Sequence, residues 1–319
     1  MREPGERFFL VDGGVRLRAL EWGGGGPRLV LLLHGGSAHA RWWDFFASRF
    51  DENVRVVALD LRGHGESHHT PGRYAIEDYA ADVSEVLRSL APQSAALVGH
   101  SLGGLVATRV AAEPPVPLAG LVLVDAGVRG WKKGERFLEK LAGLPHPVYS
   151  SPEEAIARFR FLPEAEHVRP EIRRHVVLHG IRAAGPGRYV PKFDREALAA
   201  VARADVTEDL PRIACPVLFV RGARSPVVSR RAVADLGRRI RRLAVVEIPD
   251  AGHHVLLENP AAFEQAVLAF LADRFACPSV SQEKEEGEKV HEKVREPRGE
   301  DTARTLSQRT RSEAEEESQ

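Results

Sequence analysis

The sequence predicts an α/β fold in which a mostly parallel sheet carries helices on both faces. Three observations lead there. Short apolar runs alternate with longer stretches of helical periodicity along most of the 319 residues. Those runs are continuous rather than alternating, the pattern of strands covered on both faces. One interval, about 127–207, breaks the rhythm with several helix signals and no good strand.

The apolar runs at 8–11 and 15–21 flank Asp12-Gly13-Gly14, a hairpin signal. Further strands are predicted at 29–33, 54–59, 95–98, 121–124, 217–220 and 244–248. Helices fall between them, at 76–90 and 102–112 for example. The last helix is the clearest. Asn259 caps it, Pro260 suits its first turn, and Phe263, Val267, Phe270 and Leu271 share one face. Inside the strandless interval, Ser151-Pro152-Glu153-Glu154 reads as a capping box, and 171–184 and 195–204 read as helices. The interval is therefore expected to be a helical cap over one end of the sheet, excluding water and shaping a pocket. The predicted organisation is a core of 1–126 and 208–277, a cap of 127–207 and a tail of 278–319.

Lys and Arg number 45, as do Asp and Glu, but the balance joins unlike regions. Residues 283–319 hold 12 acids and 8 bases with almost no apolar side chains, leaving 33 acids and 37 bases in residues 1–282. Such a tail cannot bury enough surface to offset its ordering entropy, and disorder is expected. A net charge near zero argues against a dedicated nucleic-acid binder. No apolar run approaches the roughly 18 residues needed to span a bilayer. The charged N-terminus lacks a signal-peptide pattern, and Cys215 and Cys277 cannot form a disulfide framework, so a cytoplasmic protein is expected.

The strongest chemical signal is Leu97-Val98-Gly99-His100-Ser101-Leu102-Gly103-Gly104, an apolar strand running through Gly-X-Ser-X-Gly into a helix. Its glycines leave room for a sharp turn that exposes the Ser101 hydroxyl. The N–H of Leu102, at the helix start, can face a developing oxyanion. Leu32-Leu33-His34-Gly35-Gly36-Ser37 also follows a strand, and the Gly36 N–H is the candidate second donor. His68-His69 and His253-His254 lack companion ligands at metal spacing, and no glycine cradle with a Lys precedes a helix. No metal or cofactor is expected.

With these motifs, the chain resembles the α/β-hydrolase fold enzymes over about residues 8–275. Asp60-Leu61-Arg62-Gly63-His64-Gly65-Glu66-Ser67 is similar to the family's loop after its fourth strand. Ile248-Pro249-Asp250-Ala251-Gly252-His253 is similar to the loop that delivers the catalytic histidine. The resemblance implies an eight-stranded sheet with a helical cap after strand six. It also makes His253 the general base, with His254 as the adjacent rival.

The acid departs from the pattern. Where many members place an aspartate after strand seven, this chain has Pro226, and no Asp or Glu lies between Val217 and Ala234. Asp125, ending the strand at 121–124, is the favoured substitute. It resembles the position used by haloalkane dehalogenases, which carry an aspartate where this chain has Ser101. Asp250 is the alternative, and a dyad without an acid stays open.

The reading is a serine hydrolase acting on a small-molecule carbonyl substrate, with a carboxylic ester as the default. Carbon–carbon bonds, thioesters and lactones use the same machinery. The missing strand-seven acid motivates a second class, a hydrolase-fold receptor that binds with little turnover. A third would act through the charged tail, with the body as a scaffold. Trp42-Trp43 and Phe45-Phe46 line a pocket or pack the core. Arg182, Arg188 and Lys192 meet an acidic substrate or water.

Overall fold

The computed structural model describes residues 2–129 and 134–275. The tail, Cys277 and the pair Lys132-Lys133 lie outside the described residues. The first strands in chain order are β1 (Gly5–Val11), β2 (Val15–Trp22), β3 (Arg28–Leu33), β4 (Val54–Leu59), β5 (Ser94–His100) and β6 (Leu118–Val124). A small separate hairpin follows, β7 (Ile181–Ala183) with β8 (Tyr189–Pro191). β9 (Val217–Gly222) and β10 (Leu243–Ile248) complete the main sheet, ordered β1-β2-β4-β3-β5-β6-β9-β10. β2 runs antiparallel to β1 and β4, and the remaining pairs are parallel. Each predicted strand lies inside an observed one.

The helices are α1 (Asp44–Ala47), α2 (Ile76–Leu90) and α3 (Leu102–Ala112), then α4 (Glu135–Ala142), α5 (Pro152–Arg158), α6 (Pro170–His179) and α7 (Ala197–Arg203). After β9 come α8 (Arg230–Gly237), α9 (Val255–Glu258) and α10 (Pro260–Phe275). The strand side chains explain why both faces are covered. Leu31, Leu33, Leu97, Leu123 and Phe219 join one buried cluster with α2 and α3. Their neighbours Val30, Leu32, Val98, Val122 and Leu218 join a second with Trp43, Phe46 and α10. Successive residues point to opposite faces, so a strand buried on both must be apolar throughout.

Two elements differ from expectation. β10 is a sheet edge, and Val245 is 48% exposed, so its apolar run does not mark burial on both faces. The stretch 171–184 is not one helix: α6 stops at His179, and the chain turns into β7. Each strand of that hairpin has three residues, too few for a period to show. Tyr149 extends it through reciprocal backbone bonds with Tyr189, both 2.9 Å. The capping box is half formed. Ser151 Oγ accepts the Glu154 N–H, but the Glu154 carboxylate takes donors from Ser150 instead.

The segment from Gly134 to Thr207 lies over the carboxyl ends of the strands. His39 Nε2 donates to the Val176 carbonyl, and the Tyr74 hydroxyl donates to Asp194. Lys192 pairs with Glu66 at 2.6 Å. Arg182 and Arg188 are exposed, and neither forms a direct ion pair among the described residues, although Arg182 acts on Glu66 from a distance. Among the described residues no helix is long and apolar enough to cross a membrane.

The loop after β4 is an internal brace. Asp60 accepts the N–H groups of Ala40 and Glu66 and pairs with Arg18. Arg62 meets Asp82 of α2 through two bonds of 2.6 Å, both side chains nearly inaccessible. Removing one member of a buried pair strands the other charge. Arg62→Met should therefore lower stability by about 3–5 kcal/mol. A urea-denaturation series reads this as a lower midpoint, and the double substitution Arg62→Met/Asp82→Leu should recover much of the loss.

Candidate active site

β5 ends at His100, and α3 begins at Leu102, so Ser101 alone makes the turn. Its backbone sits at φ 51° and ψ −114°, a region that costs a non-glycine residue energy. The surroundings hold it there. The Ser101 N–H donates to the Val124 carbonyl of β6, and the Gly103 N–H donates to the His34 carbonyl after β3. A Cβ on Gly103 would stand 2.2 Å from the Leu33 carbonyl oxygen, so α3 approaches β3 this closely only with glycine there.

The loop after β3 meets the turn from the other side. A side chain at Gly35 would collide with the His100 ring and the Ser101 Cβ. Gly36, Ser101 and His253 all line one cavity of about 40 Å³. Among the described residues, the N–H groups of Gly36 and Leu102 have no hydrogen-bond acceptor. Gly36 lines that cavity and Leu102 follows Ser101 at the start of α3, and unspent donors beside a nucleophile are what an oxyanion needs.

His253 Nδ1 lies 2.8 Å from Asp125 Oδ2, with both side chains buried. The partner defines the tautomer: Nδ1 carries the proton, leaving Nε2 as the acceptor. Asp125 begins the segment after β6 at φ 43° and accepts two further donors. These are the Gly222 N–H at 3.2 Å and the Ser225 hydroxyl at 2.5 Å. The Ser225 oxygen in turn accepts the N–H groups of Val227 and Val228. The loop after β9 thus has no acid of its own, yet it orients the acid supplied by β6. Asp250 is placed differently, with its carboxylate 79% exposed and paired with Arg224.

His254 is not brought to Asp125. Its Nε2 donates to the Pro163 carbonyl, and burial first, then the neighbouring His253, holds its pKa down at about 3. Glu258 fixes the loop between them by accepting the N–H groups of Gly252 and His254, both at 3.0 Å. His100 Nε2 donates to the His253 carbonyl at 3.0 Å. Sequence reasoning missed Ser225, Glu258 and His100. The signal for Ser225 was its hydroxyl beside Pro226, where an orienting group was wanted.

Trp42 lines the cavity and stacks near the His100 ring, with centroids 6.4 Å apart. Trp43 and Phe46 instead pack against Phe263 in the core, and Phe45 lies against His175.

The sequence profile of the alpha/beta hydrolase family matches residues 30–266. An esterase of Mycobacterium tuberculosis is 32% identical over 264 residues, covering 81% of this chain and 87% of its own. A 2-(acetamidomethylene)succinate hydrolase of Mesorhizobium japonicum is 29% identical, covering 78% and 89%. A crystal structure of E-2-(acetamidomethylene)succinate hydrolase superposes with a TM-score of 0.73 at 27% identity, covering 84% of this chain and 99% of that one.

Two more histidines hold the glycine loop against the loop after β4. His34 Nδ1 donates to the Gly35 carbonyl, and its Nε2 accepts the Leu61 N–H. His64 Nδ1 donates to the Arg62 carbonyl, and its Nε2 accepts the Ser37 N–H. Burial holds their pKa values down at about 4 and about 3. An unfolded chain binds these protons below about pH 6.5, whereas the folded chain does so only near 4 and 3. Stability should accordingly fall as pH drops through that window, by up to about 1.4 kcal/mol per pH unit for each ring. Melting curves from about pH 7 to pH 4.5 should show a steady decline, and His64→Gln should flatten it. A midpoint independent of pH would contradict the assignment.

Proposed function

The chain belongs to the alpha/beta hydrolase family, and from that premise we propose that it hydrolyses carboxylic esters through Ser101, His253 and Asp125. The observation that carries this reading is the 2.8 Å contact between His253 and a buried Asp125, in the same structure that strains Ser101 into the cavity His253 lines. The enzyme is an esterase-like hydrolase, and esterases are among its relatives.

Each residue has a defined task. Ser101 Oγ attacks the ester carbonyl as His253 Nε2 takes its proton, and Asp125 stabilises the resulting imidazolium. The carbonyl oxygen becomes an oxyanion held by the N–H groups of Gly36 and Leu102. His253 then returns the proton to the departing alkoxide, the C–O bond breaks, and Ser101 is left acylated. Water repeats the cycle: His253 takes its proton, hydroxide attacks the acyl carbon, and Ser101 leaves with the proton restored. Every proton passes through His253 Nε2.

The segment 127–207 serves as the cap that closes the site over a small-molecule substrate, with residues 1–126 and 208–277 as the core. The tail, 278–319, takes no part in this chemistry. Pro226 favours a binding-only protein, whereas the contacts of Asp125 with His253 and Ser225 support turnover. We place the enzyme in the cytoplasm, where Cys215 stays a thiol.

A fluorophosphonate probe should label the wild type and not Ser101→Ala; equal labelling of both would sink the nucleophile assignment. Asp125→Asn should lose on the order of 10⁴-fold in kcat, as when a triad aspartate is neutralised. Asp250→Asn should stay within a few-fold. Ser225→Ala removes one charge-assisted donor, and kcat should fall roughly tenfold, with rescue by Ser225→Thr.

A further inference from the structure

The cavity at Ser101 shares Ser37, Trp42, Leu162, Leu198 and His254 with a second one of about 180 Å³ beneath the cap. Its walls are mainly apolar, built from Phe159, Phe161, Val176, Ile181 and Phe193 among others. The exceptions are polar in one direction. Arg160 and Arg195 line it, and neither cavity has an Asp or Glu in its wall.

Arg195 is the informative one. It is half-buried, its Nη1 donates to the Leu141 carbonyl at 3.1 Å, and its Nε donates to His146 Nδ1 at 3.4 Å. Among the described residues no carboxylate pairs with it. The candidates nearby are committed elsewhere. Asp194 accepts the Tyr74 hydroxyl and the Glu196 N–H, and Glu66 holds Lys192. Burial lowers the Arg195 pKa, the sign of a cation losing water without gaining an anion. His146 beside it accepts the Arg195 N–H through Nδ1, and a neutral imidazole is no counter-ion. Arg160, on the exposed side, donates only to the carbonyls of Ala157 and Phe159.

A guanidinium partly withdrawn from water favours a carboxylate, which it can meet through two parallel bonds. We propose that the second cavity takes the apolar part of an ester whose far end carries another, ionised carboxylate, and that Arg195 binds it. This rests on the hydrolase reading of Ser101. The volume exceeds the roughly 150 Å³ that admits benzene, so the spacer is about four to six carbons or a ring. The substrate class is a half-ester of a dicarboxylic acid. Hydrolysis breaks its single acyl C–O bond, consumes one water, and releases an alcohol, a dicarboxylate and one proton.

The test compares p-nitrophenyl hydrogen adipate with p-nitrophenyl hexanoate, which match in carbon count and differ in the terminal charge. The wild type should prefer the charged ester in kcat/KM by roughly 10–100-fold, the range of a hydrogen-bonded charge. That ratio should collapse in Arg195→Gln, survive in part in Arg195→Lys, and shrink with added salt. Calorimetry of adipate with Ser101→Ala, against Ser101→Ala/Arg195→Gln, reads the same site without turnover. A wild-type ratio at or below one, or one unchanged in Arg195→Gln, overturns the proposal while esterase activity stands. Adipate binding that requires Arg195, in a protein with no Ser101-dependent turnover, would uphold the anion site and reject the hydrolase reading. Adipate that fails to bind Ser101→Ala overturns the anion site.

Discussion

The Asp125 carboxylate is the junction on which the site depends. It follows β6 and accepts from Gly222 at the end of β9, from Ser225 in the loop after β9, and from His253 in the loop after β10. A fully buried carboxylate is costly unless its lone pairs are engaged, and here one strand end and two loops supply three donors. The same donors fix where those loops lie. The backbone repeats the connection: the Asp125 N–H donates to Val220, and its predecessor Val124 accepts from Ser101. Ser101, His253 and Asp125 are thereby tied to one strand end, and the positive φ at Ser101 and Asp125 is sustained by bonds on both sides.

Among the many histidines in this region, electrostatics separates one from the others. His34, His64, His100 and His254 are all shifted down by burial first, and each spends a ring nitrogen on a backbone carbonyl. They act as neutral struts between loops. Only His253 of this group has a ring nitrogen within hydrogen-bond distance of a carboxylate, that of Asp125.

The sheet was legible because its information is local. A strand buried on both faces must be apolar residue by residue, and Leu29 to Leu33 or Val56 to Leu59 say so directly. The turn at Ser101 was legible for the same reason, since its glycines are demanded by adjacent backbone. Legibility ended where a role depends on distant partners. β10 carries an apolar run but lies at the edge, and only the sheet order reveals it. Asp125 was readable as a strand end, whereas Ser225, 100 residues away, becomes an orienting group only when the loop after β9 reaches β6. The cap was least legible. A three-residue strand has no period, and an arginine at 195 looks like solvated surface until Leu141 and His146 close around it.

The cap and the chemistry meet at α7. Leu198 and Val201 lie against Gly36, where a Cβ would stand 3.2 Å from Val201 and 3.8 Å from Leu198, so this short helix bounds the glycine loop after β3. Two residues before that helix stands Arg195, and before it Asp194, whose N–H donates to the Gly63 carbonyl in the loop after β4. A group engaging Arg195 would therefore act on a segment tied on one side to the loop after β4 and on the other, through α7, to the loop after β3. Binding energy gained there, remote from the scissile bond, can hold α7 against Gly36 and so improve the oxyanion geometry. In the proposed reaction, strand ends would supply the chemistry and the insertion the choice of substrate, with α7 as the contact between them.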